Sequence, residues 1–379
     1  MTRLLIVATV PETVRGFLLP WAERYRAKGW TVDAMARGIS SCPACVGAFN
    51  QVWDVKWSRN PLNPLNFVAA PQRLRAIARS YDIVHVHTPV AAFVTRFALR
   101  ELRRQGKLKA IYTAHGFHFH RNGSRLRNGI FLTLEKWAGR WCDRLIVINQ
   151  DDRDAALIHR IVPSRHLHYT PGIGVDLSHY SEQSVTEADR FQTRTELGLK
   201  PEDVLFLAIA ELIPRKRPKD LLLALAKLQR PTAHLALAGE GPLTPELKAL
   251  AAQLGIAEQV HFLGFRPDIP RFIYTATAVL LVSEQEGLPR SIMEAMAMGV
   301  PAIGTRIRGT EDLLKEGAGK LVEVGDSTAI AAEMSWILDN PEAARMLGLQ
   351  GRQQIQRYDL YEILSLHDGI YADVLEEVA

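Results

Sequence analysis

The residues between positions 283 and 301 combine types that act together on an anionic, hydroxyl-rich ligand. An apolar run ends at Val282, Gly287 permits an unusual backbone turn, and Pro289 stands where a helix can start, its missing N–H harmless there. The first helical amides then lack partners of their own, and together with the positive end of the helix dipole they suit a phosphate. Glu286 lies on the loop before that helix and Glu294 within it. Carboxylates repel phosphate, so this pair suits hydrogen bonds from sugar hydroxyls, one set from a ribose and one from a hexose. Either glutamate alone reads equally well as a solvated charge. The glycine-proline loop and the small-residue face of Ala295, Ala297 and Gly299, which allows close packing on a sheet, favour the ligand reading.

A second phosphate partner should be a cation, and Pro214-Arg215-Lys216-Arg217-Pro218-Lys219 offers several after a likewise apolar run. A solvated basic turn is the plain alternative. Further upstream, His85 and His87 close one apolar run, and His115, His118 and His120 follow another. His87 and His115 are expected at the carboxyl edge of a sheet, where a histidine serves structure as readily as ligand binding. No cysteine or carboxylate accompanies the histidines closely enough to argue for zinc. Cys42-Pro43-Ala44-Cys45 has no second pair, so it reads as packing. Asp152-Arg153-Asp154 opens a helix, where acids complement the dipole, and reads as structural.

These groups need a scaffold. Short β-branched and apolar runs alternate with amphipathic stretches, which predicts parallel sheets covered by helices. Strands are expected over 4–8, 31–36, 52–55, 83–87, 110–113 and 145–148, with helices over 71–79 and 92–104 among them. The stretch 177–203 is polar and poorly periodic and reads as a domain connection. A second series follows, with strands over 204–209, 234–237, 260–263, 278–282, 302–304 and 321–324 and helices near 218–228, 245–254 and 291–298. Beyond 327 the chain reads as helix, the last stretch long enough to return to the first domain. The expectation is an α/β chain of two Rossmann-like domains facing each other across a cleft, with the ligand at the carboxyl ends of the strands. The first would hold 1–176 with 360–379, the second 177–359.

Composition bounds the rest. The 379 residues, 47% of them apolar, suffice for two cores. No apolar stretch approaches the roughly 20 residues that cross a bilayer. The basic-then-apolar start breaks at Pro11-Glu12 without a cleavage signal, and three cysteines make no disulfide framework, so a cytoplasmic protein is expected. The net charge of +5 conceals an asymmetry: residues 1–180 carry 26 Lys and Arg against 12 Asp and Glu, and residues 181–379 carry 20 against 29. A basic half suits an anionic membrane surface or a phosphorylated substrate, or is an ordinary solvated surface. No nucleic-acid recognition motif accompanies the charge.

The 283–301 stretch resembles the retaining glycosyltransferases of family 4, which have the two-Rossmann GT-B architecture. Glu286 and Glu294 match the acidic positions of the family's Glu-x7-Glu motif, and Gly-Leu-Pro and Glu-Ala-Met-Ala-x-Gly-x-Pro match its surroundings. The blocks 235–242, 260–264 and Arg308-Gly309-Thr310-Glu311-Asp312-Leu313 continue the likeness in order, over nearly the whole chain. The resemblance implies that the second domain binds a nucleotide sugar. Glu294 would hold the ribose, Glu286 the donor sugar, and Gly287, Leu288, Pro289, Arg290 and Ser291 the diphosphate. Lys216 matches the family's basic-loop lysine. Glu211 stands where an arginine is usual, leaving Arg215 or Arg217 to supply that charge.

In the first domain His115 matches the family histidine near the donor sugar's reacting carbon, and Gly16 matches one glycine of the family's donor-binding loop. Arg15 replaces a second glycine and faces a donor or acceptor phosphate, or solvent. His87, His118, His120 and Arg15 are the candidate acceptor contacts. The block 112–155 is most similar to the branch that builds capsular, exopolysaccharide and lipid-linked glycans, which implies a peripheral enzyme at the inner face of the cytoplasmic membrane. Candidate bilayer contacts are Arg73, Arg75, Arg79, Arg96, Arg100, Arg103, Arg104, Lys107 and Lys109, with Trp53, Trp57 and Phe67 around 60–64 either dipping into the interface or packing in the core.

The implied activity moves a hexose or N-acetylhexosamine, with retention and without a metal or other cofactor, from a UDP-sugar to a lipid-linked or oligosaccharide acceptor. A UDP-sugar epimerase of similar fold and a catalytically silent nucleotide-sugar-binding scaffold are the rivals. An assay without acceptor separates the first, and the intact Glu286, Glu294, Lys216 and His115 speak against the second.

Overall fold

The computed structural model describes residues 1–57, 63, 66, 68–119 and 123–377. Phe67, His120 and most of the 60–64 stretch lie outside the described residues. The chain divides into two compact units, one of residues 1–173 with 362–379 and one of residues 174–361.

The first unit is a seven-stranded parallel sheet built from β1 (Arg3–Val7), β2 (Thr31–Ala36), β3 (Gln51–Asp54), β4 (Ile83–His87), β5 (Lys109–Ala114), β6 (Arg144–Val147) and β7 (Leu167–Tyr169). The strands run in the order β3-β2-β1-β4-β5-β6-β7. Leu4, Leu5, Ile6 and Val7 are all fully buried, as expected where helices cover both faces of a parallel sheet. The chain winds one way from β1 to β3 and the other way from β4 on. That reversal leaves a crevice at the carboxyl ends of β1 and β4, the place where doubly wound sheets bind ligands.

The second unit repeats the plan with six parallel strands, β8 (Val204–Ile209), β9 (Ala233–Ala238), β10 (Val260–Gly264), β11 (Ala278–Leu281), β12 (Ala302–Thr305) and β13 (Lys320–Val322), ordered β10-β9-β8-β11-β12-β13. Its reversal lies between β8 and β11, so the Arg-Lys loop and the Glu286 loop leave the sheet side by side. Every strand expected from the sequence is present, with ends moved by one or two residues. β7 was not expected. It is a three-residue edge strand, too short for an alternating pattern to register.

The polar stretch after 177 contains a helix, Glu187–Glu196, that the pattern did not announce. It starts in a capping box between Thr186 and Asp189 and is tied down by ions rather than apolar residues. Arg271 reaches Thr193 at 2.9 Å and Glu196 at 2.5 Å. At the other end of the chain, the helix Leu360–Glu376 contributes its residues from 362 on to the first unit. There Asp368 pairs with Arg24 at 2.5 Å, and the Tyr371 hydroxyl meets His85 Nδ1 at 2.5 Å.

Candidate functional site

In the second unit, Lys216 and Glu286 converge at the carboxyl ends of β8 and β11. Lys216 Nζ lies 2.5 Å from Glu286 Oε1, both side chains largely shielded from solvent. A small pocket at this edge is lined by Ala210, Glu211, Leu212, Lys216 and Val282 among others. Glu211 thus occupies the pocket wall as an acid where the family resemblance implied a base. Of the two arginines expected to replace that charge, Arg217 is committed elsewhere, to Asp220 at 2.5 Å and Glu284 at 2.9 Å. Arg215 is exposed and donates to the Gln285 carbonyl at 2.6 Å.

The loop between β11 and the next helix is fixed by its backbone. Arg215 accepts from the Glu284 amide at 2.9 Å through its carbonyl, and Arg308 Nε donates to the Glu286 carbonyl at 3.3 Å. Gly309 closes the arrangement: at φ +77° a Cβ there would stand 2.0 Å from the Gly287 carbonyl oxygen. Only glycine lets the two loops approach so closely. Arg308 and Gly309 belong to a block that the sequence marked only by its likeness. Their part in holding Glu286 depends on a crossing between loops, which a one-dimensional pattern does not reveal.

The helix itself runs Arg290–Ala297, with Pro289 as its N-cap rather than its first residue. No side chain caps it, and its first intrahelical bond is from the Met293 amide to the Pro289 carbonyl. Its first turn therefore presents amides at the same edge as Gly287, Leu288 and Lys216. Residues 291–297 are all buried, and Gly348 and Gly351 of the helix Pro341–Gln354 meet it at Gly299 and Met296. Glu294 is buried, with Arg290 Nε at 2.9 Å and the Tyr180 hydroxyl as hydrogen-bond donor. Burial pushes its carboxyl above the usual range, and Arg290 and Tyr180 pull part of that shift back. Tyr180 is a partner that sequence reasoning missed, since it lies over a hundred residues from Glu294 in the polar stretch.

In the first unit, His115 follows β5 at the sheet's carboxyl edge, stacked on Phe17 with ring centroids 6.2 Å apart. Its Nε2 lies 2.9 Å from His87 Nδ1. His87 is itself 1% exposed and has no surface to offer an acceptor, so the expected direct contact gives way to a contact with His115. Burial pushes the His115 imidazole down to about 4, with His367 adding to the shift, and holds His87 well below the usual histidine range. Both rings are neutral at physiological pH.

Beside His87, Thr88 adopts φ +70°, an outlying conformation for a β-branched residue. Its hydroxyl meets Thr9 Oγ1 at 2.6 Å, joining the ends of β1 and β4. Strain of about 1–3 kcal/mol of this kind persists where the surroundings over-determine it.

His118 is half-buried, its ring edge-on to Phe131 at 5.0 Å. Between the two histidines, the Phe117 amide donates to Asp152 Oδ2 at 3.1 Å, and Asn149 Nδ2 donates to the same oxygen at 2.9 Å. Asp152 therefore anchors the histidine loop, in keeping with a structural Asp-x-Asp. Arg15 and Gly16 lie not in an open loop but in a π-helical turn, Val14–Leu18, continuous with the helix Leu19–Ala27. Arg15 is exposed and Gly16 half-exposed.

Several expected bilayer contacts are spent on the fold. Arg96 is 1% exposed, pairs with Glu135 at 2.9 Å and lies over the Tyr112 ring. Arg103 pairs with Asp143 and Lys109 with Glu377, whereas Arg104 stays on the surface in a pair with Glu101. Trp57 is buried and donates to the Thr9 carbonyl at 2.9 Å, so core packing prevails for it; Trp53 donates to the Tyr81 hydroxyl at 3.0 Å. Among the described residues no group of His, Cys, Asp or Glu has the arrangement of a metal site, and no helix is long and apolar enough to cross a membrane.

This architecture has counterparts among known proteins. A model of Glycosyltransferase Family 4 matches residues 18–179, and one of Glycosyl transferases group 1 matches residues 189–354. EpsD of Bacillus subtilis (strain 168), whose name carries a provisional glycosyltransferase assignment, is 34% identical over 99% of this chain and 97% of its own. The UDP-Gal:alpha-D-GlcNAc-diphosphoundecaprenol alpha-1,3-galactosyltransferase of Escherichia coli is 28% identical over 65% of this chain and 63% of its own. Among solved structures, Anabaena HepE in complex with UDP and glucose superposes with a TM-score of 0.82 at 20% identity, covering 98% of this chain and all of that one. The chain belongs to glycosyltransferase family 4 and is a glycosyltransferase built from two Rossmann-like domains.

Proposed function

We propose that this enzyme transfers a hexose or N-acetylhexosamine from a UDP-sugar to a hydroxyl of a lipid-linked or oligosaccharide acceptor, with retention, in the synthesis of a bacterial surface polysaccharide. The observation that carries the donor half is the Lys216–Glu286 pair, set beside an uncapped helix start and a buried Glu294. The E. coli relative is named for a UDP-sugar donor and a diphosphoundecaprenol acceptor, and HepE holds UDP and glucose. Both support the reading, as does the basic character of residues 1–180.

In this reading Glu294 holds the ribose hydroxyls, and the amides from Gly287 to Ser291 receive the diphosphate. Glu286 binds the donor sugar while steering the Lys216 ammonium toward the phosphates. Arg215, the less committed arginine, supplies the further charge. The acceptor oxygen bonds to the anomeric carbon as the bond to the β-phosphate oxygen breaks. The electron pair leaves with the diphosphate, which takes the acceptor's proton on the same face. Charge growing on the leaving group is met by preorganised amides and by Lys216, an electrostatic contribution of the kind that accounts for much enzymatic rate enhancement.

His115, neutral, hydrogen-bonds the sugar rather than adding charge. His87 acts through it as a positioning residue, fixing which imidazole nitrogen faces the ligand. Arg15, Gly16 and His118 complete the first-unit contacts. The enzyme works at the inner face of the cytoplasmic membrane.

Thermal shift against UDP-, GDP- and ADP-sugars tests the donor assignment. A donor at about 100 times its dissociation constant adds about 2.7 kcal/mol of stability. A UDP-sugar should raise the midpoint, and the Glu294→Gln variant should lose most of the rise. No response to any UDP-sugar, or a larger one to a GDP- or ADP-sugar, contradicts the assignment.

A further inference from the structure

The helix Arg125–Gly139 of the first unit carries an apolar stripe turned away from its own domain. Leu126, Ile130 and Trp137 are 77%, 53% and 55% exposed. With Thr133 they recur at spacings of four, three and four, which places them on one face of a helix. The opposite face holds buried Glu135 and Ala138. Glu135 is the only acid from 125 to 140, and it is consumed by Arg96.

Flanking the stripe, Arg125, Arg127, Lys136 and Arg140 are exposed, and none of them is in an ion pair among the described residues. At the helix's end, a groove of about 710 Å³ is lined by Lys136, Arg140, Leu157, His159 and Arg160 among others. Ile158, between Leu157 and His159 in sequence, is 74% exposed, with Asp154 one helical turn back as an exposed carboxylate.

Exposed apolar side chains in helical register, bordered by unpaired cations, fit a water–lipid boundary with anionic headgroups. A second copy of the chain would bring the same cations against themselves. We infer that this helix and the adjoining groove form the surface by which the enzyme seats on an anionic bilayer, Leu126, Ile130 and Trp137 entering the acyl boundary and the cations meeting lipid phosphates.

The site connects to the acceptor side of the molecule. The helix begins just beyond His118, whose ring packs on its Phe131, so the stripe starts at the sheet edge that carries His115. A bilayer at this face would present a lipid-linked substrate's phosphates beside the candidate acceptor contacts. In that respect the inference rests on the proposed lipid-linked acceptor.

Co-sedimentation of the full chain with vesicles, without any sugar nucleotide, tests the surface independently of transfer. The vesicles are phosphatidylcholine alone or an equal mixture with phosphatidylglycerol. The wild type should bind the mixed vesicles, less at high salt, and leave phosphatidylcholine largely unbound. Ile130→Asp with Trp137→Asp should weaken binding by more than about tenfold, and Arg127→Gln with Arg140→Gln by roughly fivefold per cation removed. Phe191→Asp, at an exposed position of the second unit, should bind as the wild type does.

All variants alter exposed side chains, and unchanged circular dichroism and melting verify their folds. Absence of wild-type binding to the mixed vesicles overturns the inference. Undiminished binding by the Ile130/Trp137 variant does so as well. Normal vesicle binding together with failed sugar transfer would instead overturn the function proposed above.

Discussion

Glu286 and Lys216 are 70 residues apart in sequence and 2.5 Å apart in space, and each makes the other's position meaningful. Truncating Glu286 to Ala would remove charge, shape and hydrogen-bond acceptor from a shielded ammonium at once, whereas Glu286→Gln keeps shape and an acceptor oxygen and removes the charge alone. The histidines make a different case. His85, His87, His115 and His367 are all held neutral by burial, His115 and His367 pushed down to about 4 and the other two well below the usual value of 6.5. Unfolded, each titrates near 6.5, so below that pH the unfolded chain binds protons that the folded one refuses. Their contribution to stability is whole above about pH 6.5 and declines as the pH falls from there toward 4. Urea unfolding at pH 5 should therefore show a clearly lower midpoint than at pH 7.5. An unchanged midpoint would contradict the histidine burial. The types and rough places of Glu286, Glu294, Lys216 and His115 were legible in the sequence. The contact of His87 with His115 was not, because burial beside a neighbouring strand end leaves no mark on a strand's alternation.

At the scale of elements, the strands were legible nearly to the residue, since a doubly covered parallel strand is a continuous apolar run whose ends are marked by glycine, proline or charge. The helix Glu187–Glu196 escaped because ions rather than apolar residues dock it, and periodicity detects only the latter. The bilayer contact assigned to Arg96 failed for a related reason: Arg96 faces inward, paired and stacked, although its spacing alone reads as surface. Loop against loop is the least legible relation of all. Gly309, at φ +77° under the Gly287 carbonyl, is where that relation is tightest. Gly309→Ala combines backbone strain with a backbone clash and should cost about 2–4 kcal/mol of stability, with donor affinity falling further than the stability loss alone explains. Denaturant unfolding paired with a binding titration checks this. A variant with wild-type stability and affinity would show that the two loops do not need their close approach.

At the scale of the whole molecule, two domains were implied by length and by the repeated strand–helix series, and the uneven charge separates them further. The second unit lies mostly in the acidic part of the sequence, so under the proposed function a diphosphate there is held by local devices, a helix start and one basic loop, against the prevailing charge. The first unit's surplus is partly internal, spent on Glu135, Asp143, Asp368 and Glu377, and part of the remainder lies along the helix Arg125–Gly139. A count of charges predicts neither division; only their pairing in the fold does.

The central claim is retaining sugar transfer from a UDP-sugar held by Glu286. Its most direct test is transfer from a UDP-α-sugar to a lipid-linked acceptor, with the product's anomeric configuration read by NMR and the Glu286→Gln variant run in parallel. The account predicts an α-linked product from the wild type and transfer reduced by at least about a hundredfold in a variant of unchanged melting temperature. A β-linked product, or full activity in Glu286→Gln, would contradict it.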